Sequence, residues 1–532
     1  LKVKSKNFAY GLILLGLCIP ILMAFENWDD HDRSNRKTAY DFSVNFLKPL
    51  DKNAILFVYG DNDTYPVWAL QETEKFRSDL KIVNTTLLAT AWYIQQVQRK
   101  TYEAMSLPSK LSINEYREGA NENIKIISKE QLEYIITELP KNQDIPAHYF
   151  DYVSSFLKKD SISVQEAMQF IRKKDLGKDI IKTVIFGEGE ESLKENFLPL
   201  NKFYLKVNKE NALKYKIIKA EDKNKVLDYI NWEYESTSIS KNNFVFLAML
   251  ANYNWDRAIY FSSGGMYDEE NIFYLQDYLQ NEGLAYKFIP IKTKTSESED
   301  YGRVDTDVLY KIIKNYKWSN FDNPKAYFDE TSLRNIASYR NTITVTAAKL
   351  VKEGKNKKAK EIMDLLLTKI PPSLYGYSIS LAEIAHNYIL IGQEKKALEL
   401  VKNYKNNLLK ELLFYNSLNE NERISIENDI KRIGLEYATV VQYTTSAYKK
   451  KGEDKKGFIY LQNSFKEIEK SYNQIIEKLN ASTREEQVEM QDIILVYTGA
   501  FKLMLQNAEE FSVEYANKKK RELFSALIEL EE

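Results

Sequence analysis

The stretch AILFVYGDNDTYPVWALQETEKFRSDLKIVNTTLL, Ala54–Leu88, decides the fold class. Ala54–Tyr59 is an apolar run of strand length, and Gly60–Asp63 is a polar turn behind it. A helical pattern follows to about Phe76, Leu80–Leu88 reads as a second strand, and Ala91–Arg99 as a second helix. Strand, helix and strand with short links predict a parallel pair joined by a right-handed crossover. Residues 26–322 are therefore expected to form an α/β domain, Rossmann-like with a partly parallel sheet, entered through a short amphipathic helix over Arg36–Phe46.

Downstream the rhythm is interrupted and then returns. Residues 105–240 alternate short apolar pieces, such as IKIIS and YLKVN, with charged helices, and read as an insertion or as the rest of the sheet. NFVFLAMLANYNWDRAIYFSSGG, Asn243–Gly265, gives a helix and then a strand, Ala258–Ser262, closing on Gly264 and Gly265. A helix over Glu270–Gln280 and a strand over Leu284–Ile291 are predicted next, with KTKTSESEDYG as a solvated loop.

Upstream, FAYGLILLGLCIPILMAF, Phe8–Phe25, contains no charged residue. As a helix it spans roughly 27 Å, close to the ~30 Å hydrocarbon core of a bilayer, and Pro20 is tolerable there. Lys2, Lys4 and Lys6 precede it, while Glu26, Asp29, Asp30 and Asp32 follow. This asymmetry predicts a transmembrane anchor over 1–25 with a cytoplasmic Lys flank and the bulk of the chain beyond the membrane, the lipid contact being residues 8–25. A signal peptide would need a small-x-small cleavage site that ILMAFENW lacks. A lipoprotein would need a small residue before Cys18, where Leu17 stands. The chain opens on Leu1 and is read as a fragment or a processed product.

From 323 to 532 the pattern is helical only. Gly354 is followed by Ala359 and Pro371, and Gly392 by Ala397. Glycine for a tight inter-helix turn, alanine at a close crossing and proline at a helix end form the spacing of a tetratricopeptide-like helical repeat, whose groove is the expected surface for a polypeptide partner. The helices after Asn421 show no clear repeat and would extend or cap the array.

Composition narrows the chemistry. The formal net charge is −1 over 532 residues, with Lys interspersed among Glu and Asp, so there is no electrostatic footprint for nucleic acid. The one cysteine, Cys18, lies in the apolar run, which excludes a disulfide, a thiolate zinc site or a cysteine nucleophile elsewhere. The three histidines, His31, His148 and His386, are far apart.

Three short motifs are candidate sites. In Gly60–Asp63, Asp61 and Asp63 lie two apart behind a strand, where open α/β sheets place ligands. With Asn62 they are candidates for a divalent cation (Mg²⁺, Mn²⁺ or Ca²⁺) or a sugar phosphate; the competing reading is that Asp63 or Thr64 caps the following helix. Asp29, Asp30, His31, Asp32 and Arg33 are candidates for a cation or sugar at the membrane surface. Against this, Asp32 would cap the next helix, Arg33 would pair locally and Trp28 would anchor at the headgroups. In Ser262–Gly265, amides around Ser263 and Gly264 are candidates to cradle a phosphate or sugar, against an ordinary tight turn. Aromatics in WEYES, NYNWDR and FDNPKAYFDE could stack on sugars, although tyrosines at this density are mostly core.

Several of these stretches together, NWDDHDRS, YGDNDTYPVWALQE, LLATAWYI, YLQDYLQNEGLAYKFIPIK and VDTDVLY with NPKAYFDETSLRNIASYRNT, resemble the soluble C-terminal half of the Bacteroidota membrane-protein family called domain of unknown function 2723. The resemblance runs through most of residues 8 to 400. It implies a protein O-mannosyltransferase-like parent in a bacterial inner membrane, with an upstream multi-pass half that uses lipid-linked sugar and carries the catalytic acid. This chain would then be the periplasmic region, binding acceptor polypeptide or lipid-linked sugar in support of protein O-glycosylation. Two alternatives are a non-catalytic scaffold for envelope or secretion machinery and a metal-dependent sugar-phosphate enzyme using Asp61 and Asp63.

Overall fold

The computed structural model describes residues 6–32, 35–143, 145–189, 194–265, 268–293, 302–415, 417–418, 422, 426–480 and 491–528. Two compact units divide the chain: residues 1–320 with 325–338, and residues 321–324 with 339–532.

The first unit begins with α1 (Lys6–Glu26), whose mean hydropathy of 2.4 and lack of any buried residue make it long and apolar enough to cross a membrane. The expected α/β core follows as α2 (Thr38–Leu47), β1 (Ile55–Val58), α3 (Asp61–Glu74), β2 (Lys81–Asn84) and α4 (Ala91–Val97), each shorter than the sequence pattern by a few residues. Both strands are buried at every position, which is why they read as continuous apolar runs.

Residues 105–240 are an insertion and not the rest of the sheet. They contribute β3 (Asn123–Ile126), β4 (Ile162–Ser163), α5 (Val164–Arg172), β5 (Phe197–Leu198), β6 (Lys202–Lys206), β7 (Tyr229–Glu233) and β8 (Ser238–Ser240) to two small sheets of order β5-β3-β8 and β4-β6-β7. α5 starts where Ser163 and Glu166 close a reciprocal cap.

The main chain of the core then resumes with α6 (Lys241–Ala251), β9 (Ile259–Ser262), β10 (Leu279–Asn281), β11 (Ala285–Phe288), β12 (Arg303–Val304) and α7 (Thr306–Lys314). The six-stranded sheet has the order β12-β10-β11-β9-β1-β2. β1 runs parallel to both β2 and β9, while β11 is antiparallel to β9 and β10. Phe57 and Phe261 stack at 5.6 Å, and Phe246 of α6 meets the Phe57 ring edge-on at 5.1 Å, so α6 seals that face of the sheet.

The helix predicted over Glu270–Gln280 does not form. Two short 3-10 turns, Glu269–Ile272 and Gln276–Tyr278, take its place, and Gln280 belongs to β10. Phe273 and Tyr274 both adopt left-handed φ angles of 57°, which no helix tolerates. The cause is tertiary: the Phe273 ring is buried against Tyr234 (4.9 Å), Phe246 (5.3 Å) and Trp232 (6.1 Å). Burying one such side chain contributes ~1.5–3 kcal/mol, more than a helical turn's intrinsic preference. The solvated-loop stretch lies, for residues 294–301, outside the described residues.

The second unit is all helical. It holds α8 (Glu330–Lys352) from Tyr339 onward, α9 (Asn356–Lys369), α10 (Ile379–Leu390), α11 (Glu394–Tyr415), α12 (Glu427–Lys450), α13 (Asp454–Asn480), α14 (Gln491–Glu509) and α15 (Val513–Ile528). α10 packs on α11 and α12, and α12 packs on α13 and α14. Three of the connections share one geometry. Gly354, Gly392 and Gly452 have φ of 73°, 79° and 73°. Each following amide donates back to a carbonyl five residues earlier: Lys355 to Leu350 (2.8 Å), Gln393 to Tyr388 (2.8 Å) and Glu453 to Tyr448 (2.9 Å). Five residues after each glycine stands a small residue at a crossing: Ala359 and Ala397 are buried, and a Cβ at Gly457 would lie 3.2 Å from the Phe511 ring. The turn thus recurs beyond Asn421, where the sequence shows no clear repeat.

Candidate functional site

β1 sends the chain through α3 to β2 on one side, while β9 lies on its other side. The carboxyl ends of β1 and β9 therefore bound a topological switch point, the crevice where α/β sheets hold ligands. Two of the predicted motifs meet there. Gly60–Asp63 leaves β1 and Ser262–Gly265 leaves β9, and a Cβ at Gly264 would lie 2.7 Å from Asp63 Oδ2.

The capping reading fails. The N-cap of α3 is Gly60, at φ 76° and ψ 177°, and no side chain caps the helix. The left-handed φ explains the glycine. Thr64 Oγ1 instead donates to Gly60 O (2.6 Å) and accepts from Asn84 Nδ2 (2.8 Å), while Asn84 Oδ1 accepts from Leu87 N (2.9 Å). This chain ties the end of β2 to the start of α3 and fixes the crevice wall.

Asp61 and Asp63 both lie in the first turn of α3, and residues two apart on a helix do not share a face. Asp61 and Asn62 are exposed, whereas Asp63 Oδ2 is buried without a hydrogen-bond partner. Burial raises the Asp63 pKa, and nearby Ser262 opposes that only in part. Ser262 Oγ is itself buried without a sound hydrogen bond. The geometry therefore favours Asp63 as a hydrogen-bonding group for a ligand hydroxyl over chelation of a cation by the pair. Among the described residues, no group of three or more His, Cys, Asp or Glu side chains could hold a metal ion.

The phosphate cradle around Ser263 and Gly264 is curtailed. Ser263 N donates to Leu284 O (3.1 Å), and Ser263–Gly265 is a three-residue 3-10 turn with no full helix behind it, so neither that amide nor a helix dipole is available. Gly265 has another use: a Cβ there would come within 3.3 Å of Tyr59 Cβ.

In the membrane-proximal motif, Arg33 and the side chains of Asp29 and Asp30 lie outside the described residues. His31 and Asp32 are exposed; His31 Nδ1 donates to Asn27 O (2.9 Å), and Asp32 N donates to Trp28 O (2.8 Å). Asp32 does not cap α2, which starts at Thr38 with Lys37 at the N-cap.

The aromatics of WEYES and NYNWDR, Trp232, Tyr234, Tyr253 and Trp255, are core, as expected of tyrosines at this density, whereas Tyr327 of FDNPKAYFDE is exposed. Exposed rings follow β1 and β2: Tyr59 directly after β1 (44% exposed), Tyr65 in α3 (55%) and Trp92 in α4 (58%). Tyr65 meets the half-buried Trp68 edge-on at 5.9 Å, and Trp92 meets the buried Tyr93 edge-on at 5.5 Å. The signal available in the sequence was position: each stands within eight residues of a strand's carboxyl end.

No curated protein and no solved structure matches the chain. The family described as TMEM260-associated domain 2 matches residues 39–308, which contain the whole six-stranded sheet and the crevice. That match does not carry the closer resemblance to domain of unknown function 2723. Because it spans just over half of the 532 residues, the chain belongs to the TMEM260-associated domain 2 family.

Proposed function

We propose that this chain is the extracytoplasmic region of an inner-membrane, O-mannosyltransferase-like protein and supports protein O-glycosylation by holding a lipid-linked sugar. α1 is the anchor: its Lys-rich flank stays cytoplasmic, and Asp29, Asp30, His31, Asp32 and Arg33 emerge at the outer headgroups. The sugar sits in the crevice between β1 and β9. The observation that carries this reading is the buried Asp63 Oδ2, without a sound hydrogen bond, in a crevice beside the half-exposed Tyr59 ring, in a chain of the TMEM260-associated family. Sugar rings present apolar faces to aromatic side chains and hydroxyls to buried polar groups. In this reading Asp63 binds and orients, and bond-making groups belong to a membrane half. The acceptor polypeptide lies on the helical hairpins, taken as tetratricopeptide-like repeats, with the groove as its surface. Deleting the gene is expected to remove periplasmic O-glycans, and the wild-type gene to restore them; an unchanged glycoproteome contradicts the proposal.

A second reading, a non-catalytic scaffold for envelope assembly, is favoured by the recurring glycine turns of the helical unit. It predicts that Asp63→Asn leaves O-glycans intact while substitutions in the helical groove do not.

A further inference from the structure

A second site lies on one face of the same sheet. Arg303 of β12 pairs with Gln280 of β10, Gln280 with Lys287 of β11, and Lys287 with Tyr260 of β9. Cross-strand partners project to the same side, so four polar residues form a row where the other end of the row, Leu56 and Ile82, is apolar. Over the polar half opens a cavity of about 670 Å³, roofed by α7 and the Lys216–Asp222 segment. Its size falls inside the roughly 300–1,000 Å³ of small-molecule sites.

The floor is charged, buried and internally paired. Lys287 Nζ lies 2.5 Å from Asp51 Oδ2 and donates to Lys216 O (3.0 Å). Gln280 Nε2 donates to Glu282 Oε1 (2.9 Å). Tyr260 OH stands 3.1 Å from both Glu282 Oε2 and Asp51 Oδ2. A phenol has one proton, so the chain is satisfied when Glu282 carries a proton, gives it to Tyr260, and Tyr260 gives its own to Asp51. Burial raises the Glu282 pKa, with the Lys287 ammonium opposing, which fits that assignment. Three polar side chains held this far from solvent present fixed donors and acceptors to whatever enters.

The mouth is different. Arg303 is spent on Asp222 (2.7 Å) and Lys219 on Asp305 (2.6 Å). Lys48, Lys216 and Lys311 also line the cavity and are exposed, and among the described residues none of them has a carboxylate partner. These three ammonium groups outnumber the one exposed carboxylate of the lining, Asp307, and raise the potential of the cavity in favour of an anion. A phosphate group, at ~−1.5 to −2 charges with several acceptor oxygens, answers three ammonium groups better than a single carboxylate does. Ile218, Ile289 and Ile312 form apolar wall between mouth and floor.

We infer that this cavity binds a hydroxyl-bearing organic phosphate, its phosphate held by Lys48, Lys216 and Lys311 and its hydroxyls by Gln280 and Glu282. The site shares no residue with the Asp63 crevice and stands or falls independently of the sugar-holding role proposed there. The test is calorimetric titration of the full chain in detergent with glucose 1-phosphate, farnesyl phosphate and glucose. Glucose 1-phosphate is expected to bind saturably, and Lys216→Glu with Lys311→Glu to weaken that binding at least tenfold, while Asp63→Asn leaves it unchanged. Farnesyl phosphate carries no hydroxyl and is expected to bind more weakly than glucose 1-phosphate; equal or tighter binding of it contradicts the hydroxyl contacts to Gln280 and Glu282. Both lysines are exposed, so the variant is expected to fold; the single Lys48→Gln variant, with a smaller loss, gives an independent reading. Absence of glucose 1-phosphate binding, binding of glucose equal to glucose 1-phosphate, or undiminished binding in the lysine variants overturns the inference.

Discussion

Gly264 stands against the Asp63 carboxylate, so close that a methyl group on it would lie 2.7 Å from Asp63 Oδ2. The contact joins the first turn of α3 to the turn that follows β9, 201 positions apart in sequence, and Asp63 Oδ2 is buried there without a sound hydrogen bond. The obstacle is the end of a side chain and not backbone, so Asp63 can swing away. Gly264→Ala is therefore expected to fold with a stability change within about 0.5 kcal/mol. It would nonetheless displace the carboxyl and weaken glycoside binding. Paired thermal melts and sugar titrations check this; a variant that binds as wild type does shows that Asp63 is not placed by Gly264.

Asp63 also sets a pH dependence. Its folded-state pKa is raised, chiefly by burial. The neutral form's contribution to stability is thus fully present below the ordinary carboxylate pKa and is lost as pH rises through the raised folded value. Asp63→Asn removes that loss and is expected to raise the melting temperature at neutral pH while leaving it nearly unchanged at about pH 3. Parallel curves for the two proteins across that range would contradict the assignment.

In the helical unit His386 acts in the opposite sense. Its Nδ1 donates to Tyr443 O (2.7 Å), and burial lowers its pKa, the Tyr443 carbonyl opposing and the Lys450 ammonium assisting. The unfolded chain takes the proton first, so stability present above about pH 6.5 is lost as pH falls through the lowered folded value. Urea midpoints are expected to drop between about pH 7 and about pH 5, and His386→Gln to flatten that slope. A wild-type midpoint that rises on acidification contradicts the burial argument.

Gly434 tests the packing of α12 on α14. A Cβ there would lie 2.6 Å from Val496 O and 2.7 Å from Val496 Cγ1, and the backbone carbonyl cannot move alone. Gly434→Ala should gain slightly in helix propensity yet lose about 1–3 kcal/mol through overpacking. Chemical denaturation decides the sign; a variant more stable than wild type would show that the helices separate freely.

The sequence was legible where local pattern and tertiary demand agree. Ile55–Val58 and Ile259–Ser262 are buried on both faces, so an unbroken apolar run marks each strand. Gly354 and Gly392 announce their turns because Ala359 and Ala397 follow at the same spacing; at Gly452 the fifth residue is Gly457, and the pattern is lost to the eye although the turn is the same. Glu270–Gln280 misleads because the Phe273 ring belongs to an aromatic core assembled from the insertion and α6. Of the candidate site, the position of Asp63 was readable, but its orphaned oxygen was not, since that depends on the approach of Gly264. The phosphate cavity was out of reach for the same kind of reason: Gln280, Lys287 and Arg303 become neighbours only through strand register.

The central claim is that the crevice at Asp63 holds a sugar, and the intrinsic tryptophan fluorescence of the chain supplies the probe. The most direct measurement is the fluorescence titration of the full chain with an alkyl mannoside, in the wild type and in Asp63→Asn. Saturable quenching in the wild type that is lost or weakened at least tenfold in Asp63→Asn is the predicted result. Quenching that is absent in the wild type, or identical in the two proteins, would contradict the account.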